Sequence, residues 1–443
     1  MNGIFLAIVL VAFLTAAFYQ LRHGPAEEGE ETPMEVLSTA MVESAGGAVE
    51  LAIGLIGVMT LFLGLMKVAE AGGMLTIIAK LIRPLMVRLF PEVPGNHPAM
   101  GAMILNFSAN ALGLGNAATP FGIRAMQELD KLNPRKGTAS DSMALFLAIN
   151  TSSITLLPTG VIALRAAAGS TSPAAILPTT LFATVCATIA AICAAKFYRR
   201  FFPIENYPIR EHEDTGAGIG QQPTQTEQEE EALPDSASDA YPGWVSALAL
   251  VTILSLIPLS IVYGRVIAPW IIPGLMVFFL GFGVLRGVRI YEVFVEGAKD
   301  GFQVAVRIIP YLVAILVAVG MFRASGAMDV VVGSIGAWTE RIGLPAEALP
   351  MALLRPLSGS GAYGILASII NDPSIGPDSY TGILVSTLQG STETTFYVLA
   401  VYFGAIQVKR IRHTLAAALT ADMVAVAAAV VICLTLFGVV VSQ

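Results

Sequence analysis

The chain has 443 residues, of which 55% are hydrophobic and 13% charged, and its net charge is −7. Soluble domains carry about a quarter charged residues, so this composition excludes a globular protein covered by water. Most of the acid sits outside the apolar spans, with clusters at Glu27 to Glu31 and Glu227 to Asp239, and nothing reads as a basic nucleic-acid surface.

Several stretches of roughly 20 residues carry almost no charge, which is the length a helix needs to cross a bilayer. Their Leu-, Ala- and Val-rich runs predict helices, because barrel strands would be short and alternating. The expected fold class is an all-α polytopic membrane protein, with the lipid bilayer as a partner. Spans are expected at 3–21, 48–69, 142–164, 173–195, 244–263, 268–285, 303–322, 379–406 and 415–441. No Lys or Arg precedes the first, so it reads as an uncleaved helix rather than a secretory leader. Residues 201–242 hold Pro203, Pro208, Pro223, Pro234 and Pro242 among Gly, Gln, Ser and acids. They have too little apolar surface to offset the entropy of ordering and predict a flexible linker. The division expected is therefore 1–200, linker 201–242, and 243–443. Cys186, Cys193 and Cys433 fall inside apolar spans without metal spacing and read as buried packing residues.

Two segments between spans have a different character. Residues 97–126 and 349–371 are apolar but interrupted by small polar residues and glycine, around Asn106–Asn116 and Ser358–Gly361 respectively. Each predicts a re-entrant hairpin, since irregular backbone at membrane depth persists only where protein or a water-filled cavity satisfies it. After each hairpin an Asp-Ser pair, Asp141-Ser142 and Asp378-Ser379, opens a long span that is polar in its middle. Features repeated in the same order predict an internal duplication.

Basic clusters at Lys131–Lys136, Lys196–Arg200, Arg286–Arg289 and Lys409–Arg412 read as cytoplasmic. That assignment puts the N-terminus inside, the C-terminus outside, and the two repeats antiparallel, with Arg22, Arg265 and Arg323 on the opposite side. Inverted repeats with broken helices place a substrate site where the repeats meet.

Glu393 stands near the middle of its span, where an ionisable side chain is expensive unless paired or hydrated. It reads as a ligand or coupling group; the alternative is a structural ion pair with Arg355 or Arg307. Around it stand Gln389, Ser391 and Thr392, and the matching stretch of the first repeat holds Asn150, Thr151 and Ser153. These side chains suit a polar ligand or a coupling ion, sodium or proton; helix–helix hydrogen bonding is the alternative for each. Ser108, Asn110, Asn116, Ser358 and Ser360 would add contacts from the hairpin tips, where half-helix N-termini favour anionic or strongly polar groups. No histidine pair has zinc spacing, no phosphate loop occurs, and Ser360 has no evident base. An enzyme is not expected, nor a resident cofactor or metal.

Residues Gly54–Met59, Phe90–Pro94 with His97–Met100, and Ser108–Pro120 resemble spore maturation protein A. Arg355–Ala362 and Gly390–Tyr397 resemble spore maturation protein B. Those are usually separate, adjacent chains, and here they look fused near the linker. The resemblance implies Gate, or nucleoside recognition, domains, a grouping that also holds concentrative nucleoside transporters and the membrane part of ferrous-iron transporter B. It implies broken helices around a central site, and homo-oligomers, but does not carry a substrate across. The expectation is a bacterial inner-membrane secondary transporter or exporter of a small polar metabolite, anionic and nucleoside-like ones included. The alternative is a non-transporting scaffold or ligand sensor acting with envelope enzymes.

Overall fold

The computed structural model describes the chain apart from residues 1, 23–30, 114, 153–154, 204–240, 329, 331–335, 337 and 439–443. The linker expected at 201–242 therefore lies almost wholly outside the described residues.

The first half begins with α1 (Asn2–Arg22) and α2 (Pro33–Ala71). Thr32 and Glu35 start α2 as a reciprocal capping box, with Pro33 in the first turn. A bend of 69° leads into α3 (Met74–Leu89). His97 caps α4 (Pro98–Ala111) by accepting the Ala99 amide on Nδ1 at 3.1 Å. A tight turn then returns the chain as α5 (Gly115–Leu132), completing the first hairpin. The span expected at 142–164 is broken into α6 (Asp141–Ser152) and α7 (Thr159–Ala167), and α8 (Leu177–Tyr198) closes the repeat.

The second half opens with α9 (Gly243–Leu285) and α10 (Ile290–Ala324). Its hairpin is α11 (Leu349–Leu354) and α12 (Gly359–Ile370); its broken span is α13 (Tyr380–Ser391) and α14 (Thr395–Ala405); α15 (Thr414–Phe437) ends it.

Bounds, not topology, differ from expectation. The spans at 244–263 and 268–285 form one helical run of 43 residues, α9, with no non-helical loop between them. The run still reverses: the Tyr241 amide donates to Lys80 O at 3.3 Å and Arg286 Nε to Gly72 O at 2.8 Å, so its two ends lie close together, where a straight helix would hold them about 65 Å apart. It stops at Gly287, whose φ of 72° is the left-handed conformation that ends helices. Likewise α2 has 39 residues, about 58 Å at the helical rise, well beyond the ~30 Å hydrocarbon core. Hydropathy marked only its apolar part. Three described helices are long and apolar enough to cross a membrane, over Phe5–Arg22, Pro173–Tyr198 and Thr414–Phe437. Large apolar side chains such as Leu10, Val277 and Met423 are exposed on the helix surfaces, as lipid-facing positions require.

The two repeats are inverted. Gly64 lies against Phe294, Gly301 against Thr60, and Gly320 against Ser44, so α2 and α10 run antiparallel. The pairing depends on glycine: a Cβ at Gly301 would stand 2.7 Å from the Thr60 Cα. The closing helices α8 and α15 are antiparallel too, with Tyr198 Oη 3.2 Å from Thr420 Oγ1. Each presents a buried alanine every fourth residue, Ala183, Ala187, Ala191 and Ala195 on one and Ala417, Ala421, Ala425 and Ala429 on the other. Small residues at that spacing let membrane helices approach closely. Cys193 is exposed on α8 and Cys186 partly so, leaving Cys433 as the buried one of the three.

A reciprocal pair of ion pairs ties the ends of the repeats. Asp141, opening α6, meets Arg412 of the second half at 2.7 Å, and Asp378, just before α13, meets Arg165 of the first at 3.0 Å. Arg412 is thus not a free cytoplasmic charge: its side chain is buried and also donates to Ala139 O and Phe202 O. Arg323, on the wrong side for the charge rule, is held by Asp372 at 2.5 Å. Three of the four basic clusters do gather at one end, where the Ala139 amide donates to Arg410 O and Lys196 and Arg199 face Asp141 across a small cleft.

Candidate functional site

The site grows from the two helix breaks. Leu156, Leu157 and Pro158 are non-helical before α7, and Pro158, lacking an N–H, cannot continue α6. Thr392 and Thr394 are extended, separating α13 from α14. Unwound backbone at this depth must find partners, and it finds them in the hairpins and in the other repeat. The Leu156 amide donates to Ala111 O at 3.0 Å, at the first hairpin tip. The Phe396 amide donates to Pro356 O at 3.0 Å, at the second. Between the repeats, the Glu393 amide donates to Thr151 O at 2.8 Å.

These segments bound a cavity of about 870 Å³. Its walls are α2 and α10 on one side, and both breaks with both hairpins on the other. Close approach again requires glycine: a Cβ at Gly160 would stand 2.6 Å from the Tyr363 hydroxyl, and one at Gly359 2.8 Å from Thr394 Oγ1.

Arg355 organises the second break. Its guanidinium donates to Thr394 Oγ1 at 3.0 Å and to the Thr392 carbonyl, and lies 3.9 Å from Glu393 Oε2. Arg355 is 7% exposed and Glu393 47%, so the arginine is fixed in the wall while the carboxylate reaches into the cavity. Arg355 Nε and Gln389 Oε1 are buried without a hydrogen-bond partner. A donor and an acceptor are thus left over in the same wall.

Of the residues expected at the site, Asn110, Gln389, Thr392 and Glu393 line the cavity. Asn150 stands behind Asn110, accepting its amide at 3.0 Å and donating to Phe146 O. Ser108, Thr151 and Ser391 are fully buried, and their hydroxyls bond carbonyls of their own helices, Ile104, Ala148 and Leu388. Ser358 caps α12 by accepting the Gly361 amide at 3.0 Å, with Ser360 3.5 Å from it. Ser153 and the Asn116 side chain lie outside the described residues, as does the side chain of Arg307. Sequence reasoning missed Lys67 and Glu70 on α2, and Asp300 and Gln303 on α10, which complete the opposite wall. Lys67 and Glu70 stand 3.4 Å apart. Both pairs carry three-residue helical spacing at the edges of apolar runs, the signal that could have found them.

The fold and site define an all-α polytopic membrane protein of two inverted repeats, each contributing a hairpin and a broken helix to one central cavity. The chain belongs to the nucleoside recognition (Gate) family, whose model matches residues 52–168 and 305–409. It is 45% identical over 170 residues to spore maturation protein B of Bacillus subtilis (strain 168), covering 38% of this chain and 92% of that protein. It is also 45% identical over 169 residues to spore maturation protein A of the same organism, covering 38% of this chain and 86% of that protein. The similarity to both within one chain accords with a fused arrangement. No solved structure matches the chain.

Proposed function

We propose that this protein is a secondary transporter or exporter of a small polar metabolite in the bacterial inner membrane, with the cavity as its midplane site. One observation carries the reading: the half-exposed Glu393 carboxylate projects into a cavity bounded by unwound segments of both repeats. That is where inverted-repeat transporters bind their solutes. The lining holds Lys67 and Arg355 against Glu70, Asp300 and Glu393, which favours a solute with donors as well as acceptors over a simple anion.

The test is solute flux into liposomes holding the purified protein alone, with nucleosides, amino acids, dicarboxylates and small peptides as probes. Saturable flux of one class, lost in Glu393→Gln, is expected. Binding to the protein without flux for any probe would favour a ligand sensor instead, and neither binding nor flux a scaffold.

A further inference from the structure

Asp422 lies on α15, eight residues beyond its start at Thr414, about 12 Å along a membrane-crossing helix. It plays no part in the cavity wall and is 6% exposed. Its Oδ2 accepts the Thr395 hydroxyl at 2.7 Å, while Oδ1 is buried with no hydrogen-bond partner. A buried carboxylate anion needs both oxygens satisfied, whereas a neutral acid with one hydroxyl partner is far less costly. A metal cation would need several oxygen ligands. Among the described residues Thr395 supplies the one side-chain oxygen bonded to this carboxylate.

The position of Thr395 gives the carboxyl a mechanical connection. Residues 393–395 form the end of the second break and point to three different partners. Glu393 reaches the cavity, Thr394 accepts from Arg355, and Thr395, the first residue of α14, donates to Asp422. The charge acting on Asp422 is that of Arg355. Of the helices packed against α15, α8 carries Cys186, Cys193, Lys196 and Tyr198, and α6 carries Asp141 at its first residue. Tyr380 on α13, and Tyr397 and Tyr402 on α14, complete the titratable groups of those helices.

We propose that Asp422 is a proton-binding site whose occupancy sets the position of the half-helix α14 through Thr395. The proton comes from water and takes Oδ1, the oxygen without a partner; released, it leaves an anion held by the Thr395 hydroxyl. Its use as the coupling site rests on the transport reading, but its existence as a proton site does not.

Infrared difference spectra of the reconstituted full chain between acid and alkaline pH test this without any solute. Among the signals of its 32 side-chain carboxyls, the wild type should show one D2O-sensitive protonated-carboxyl component that is absent in Asp422→Asn and retained in Glu393→Gln. Spectra of wild type and Asp422→Asn that do not differ in this region overturn the assignment. Should that variant fail to fold, Thr395→Val keeps the acid while removing its hydrogen bond. It should move the titration midpoint by roughly 3- to 10-fold in proton concentration, and an unmoved midpoint overturns the proposal. Amide exchange across residues 393–398, corrected for intrinsic rates, should step at the same midpoint in the wild type; no step overturns the link to α14. Failure of these measurements leaves solute flux untouched, so the two readings fall separately.

Discussion

The amide of Glu393 donates to the carbonyl of Thr151 at 2.8 Å, so the unwound segments of the two repeats share a backbone hydrogen bond. Neither helix break is satisfied within its own repeat alone. The backbone of Glu393 therefore has a structural duty that its side chain, half exposed in the cavity, does not share. Glu393→Gln keeps the amide bond and removes the charge. Its effect on stability should stay within about 0.5 kcal/mol, while solute-dependent flux in liposomes is lost. A fall in thermal stability matching the loss of flux would instead give the side chain a folding role.

Arg355 should behave in the opposite way. Its buried guanidinium satisfies Thr392 O and Thr394 Oγ1 while facing Glu393. Arg355→Met should destabilise by about 2–3 kcal/mol, the range for hydrogen bonds to a charged group. Arg355→Lys, with the charge but not the planar fork, should recover part of that. Thermal unfolding of both variants in detergent checks the order.

The reciprocal ion pairs predict acid sensitivity. Burial alone would raise the Asp378 carboxyl, but hydrogen bonds from Ser170 and Thr171 and the Arg165 charge outweigh it and hold it below its usual value. A carboxyl depressed in the folded state adds stability that is present above the unfolded value, about 4. That contribution is lost as pH falls towards the lower folded value. Asp378→Asn should therefore be less stable than wild type at neutral pH, with the gap closing below about pH 4. Unfolding midpoints measured from pH 3 to 7 decide it; a gap independent of pH would count against the ionised pair.

Asp141 and Arg412 form the matching pair, and a double-mutant cycle should find them coupled. Arg412→Ala alone leaves Asp141 without its cation and Ala139 O without that donor. The loss should be about 3 kcal/mol, at the low end for a broken buried pair because Asp141 is partly exposed. The Asp141→Asn, Arg412→Ala double variant should lose less than the sum of its parts. Strict additivity would show that the contact contributes nothing.

The α2–α10 contact offers a steric test. Gly301→Ala places a methyl against the Thr60 backbone and should cost about 1–3 kcal/mol as an overpacked contact. Gly46→Ala, in α2, meets nothing within 4 Å and should be neutral or slightly stabilising, by up to about 1 kcal/mol. Equal effects of the two would argue against close packing of the repeats.

Membrane residence, helical class, the duplication and the two hairpins were legible in the sequence alone, because each rests on a local pattern. Apolar length meets the bilayer directly, and clustered glycine and small polar residues weaken a helix locally. The inversion was also legible, from basic clusters that must share one side of the membrane. Glu393 stood out because a charge at that depth needs a reason. Tertiary structure alone decided which polar side chains face the cavity. Ser108 and Ser391 are as polar as Asn110 and Gln389, yet their hydroxyls return to their own helices, and only the rotation of a packed helix separates the two cases. It alone brought Lys67 and Asp300 to the wall opposite Glu393, since antiparallel contact between α2 and α10 joins residues more than 200 positions apart. It alone showed that Arg412 belongs to Asp141 and Thr395 to Asp422. Ion pairs and hydrogen bonds of that reach leave no periodicity in a chain, because their geometry exists only once both partners are packed.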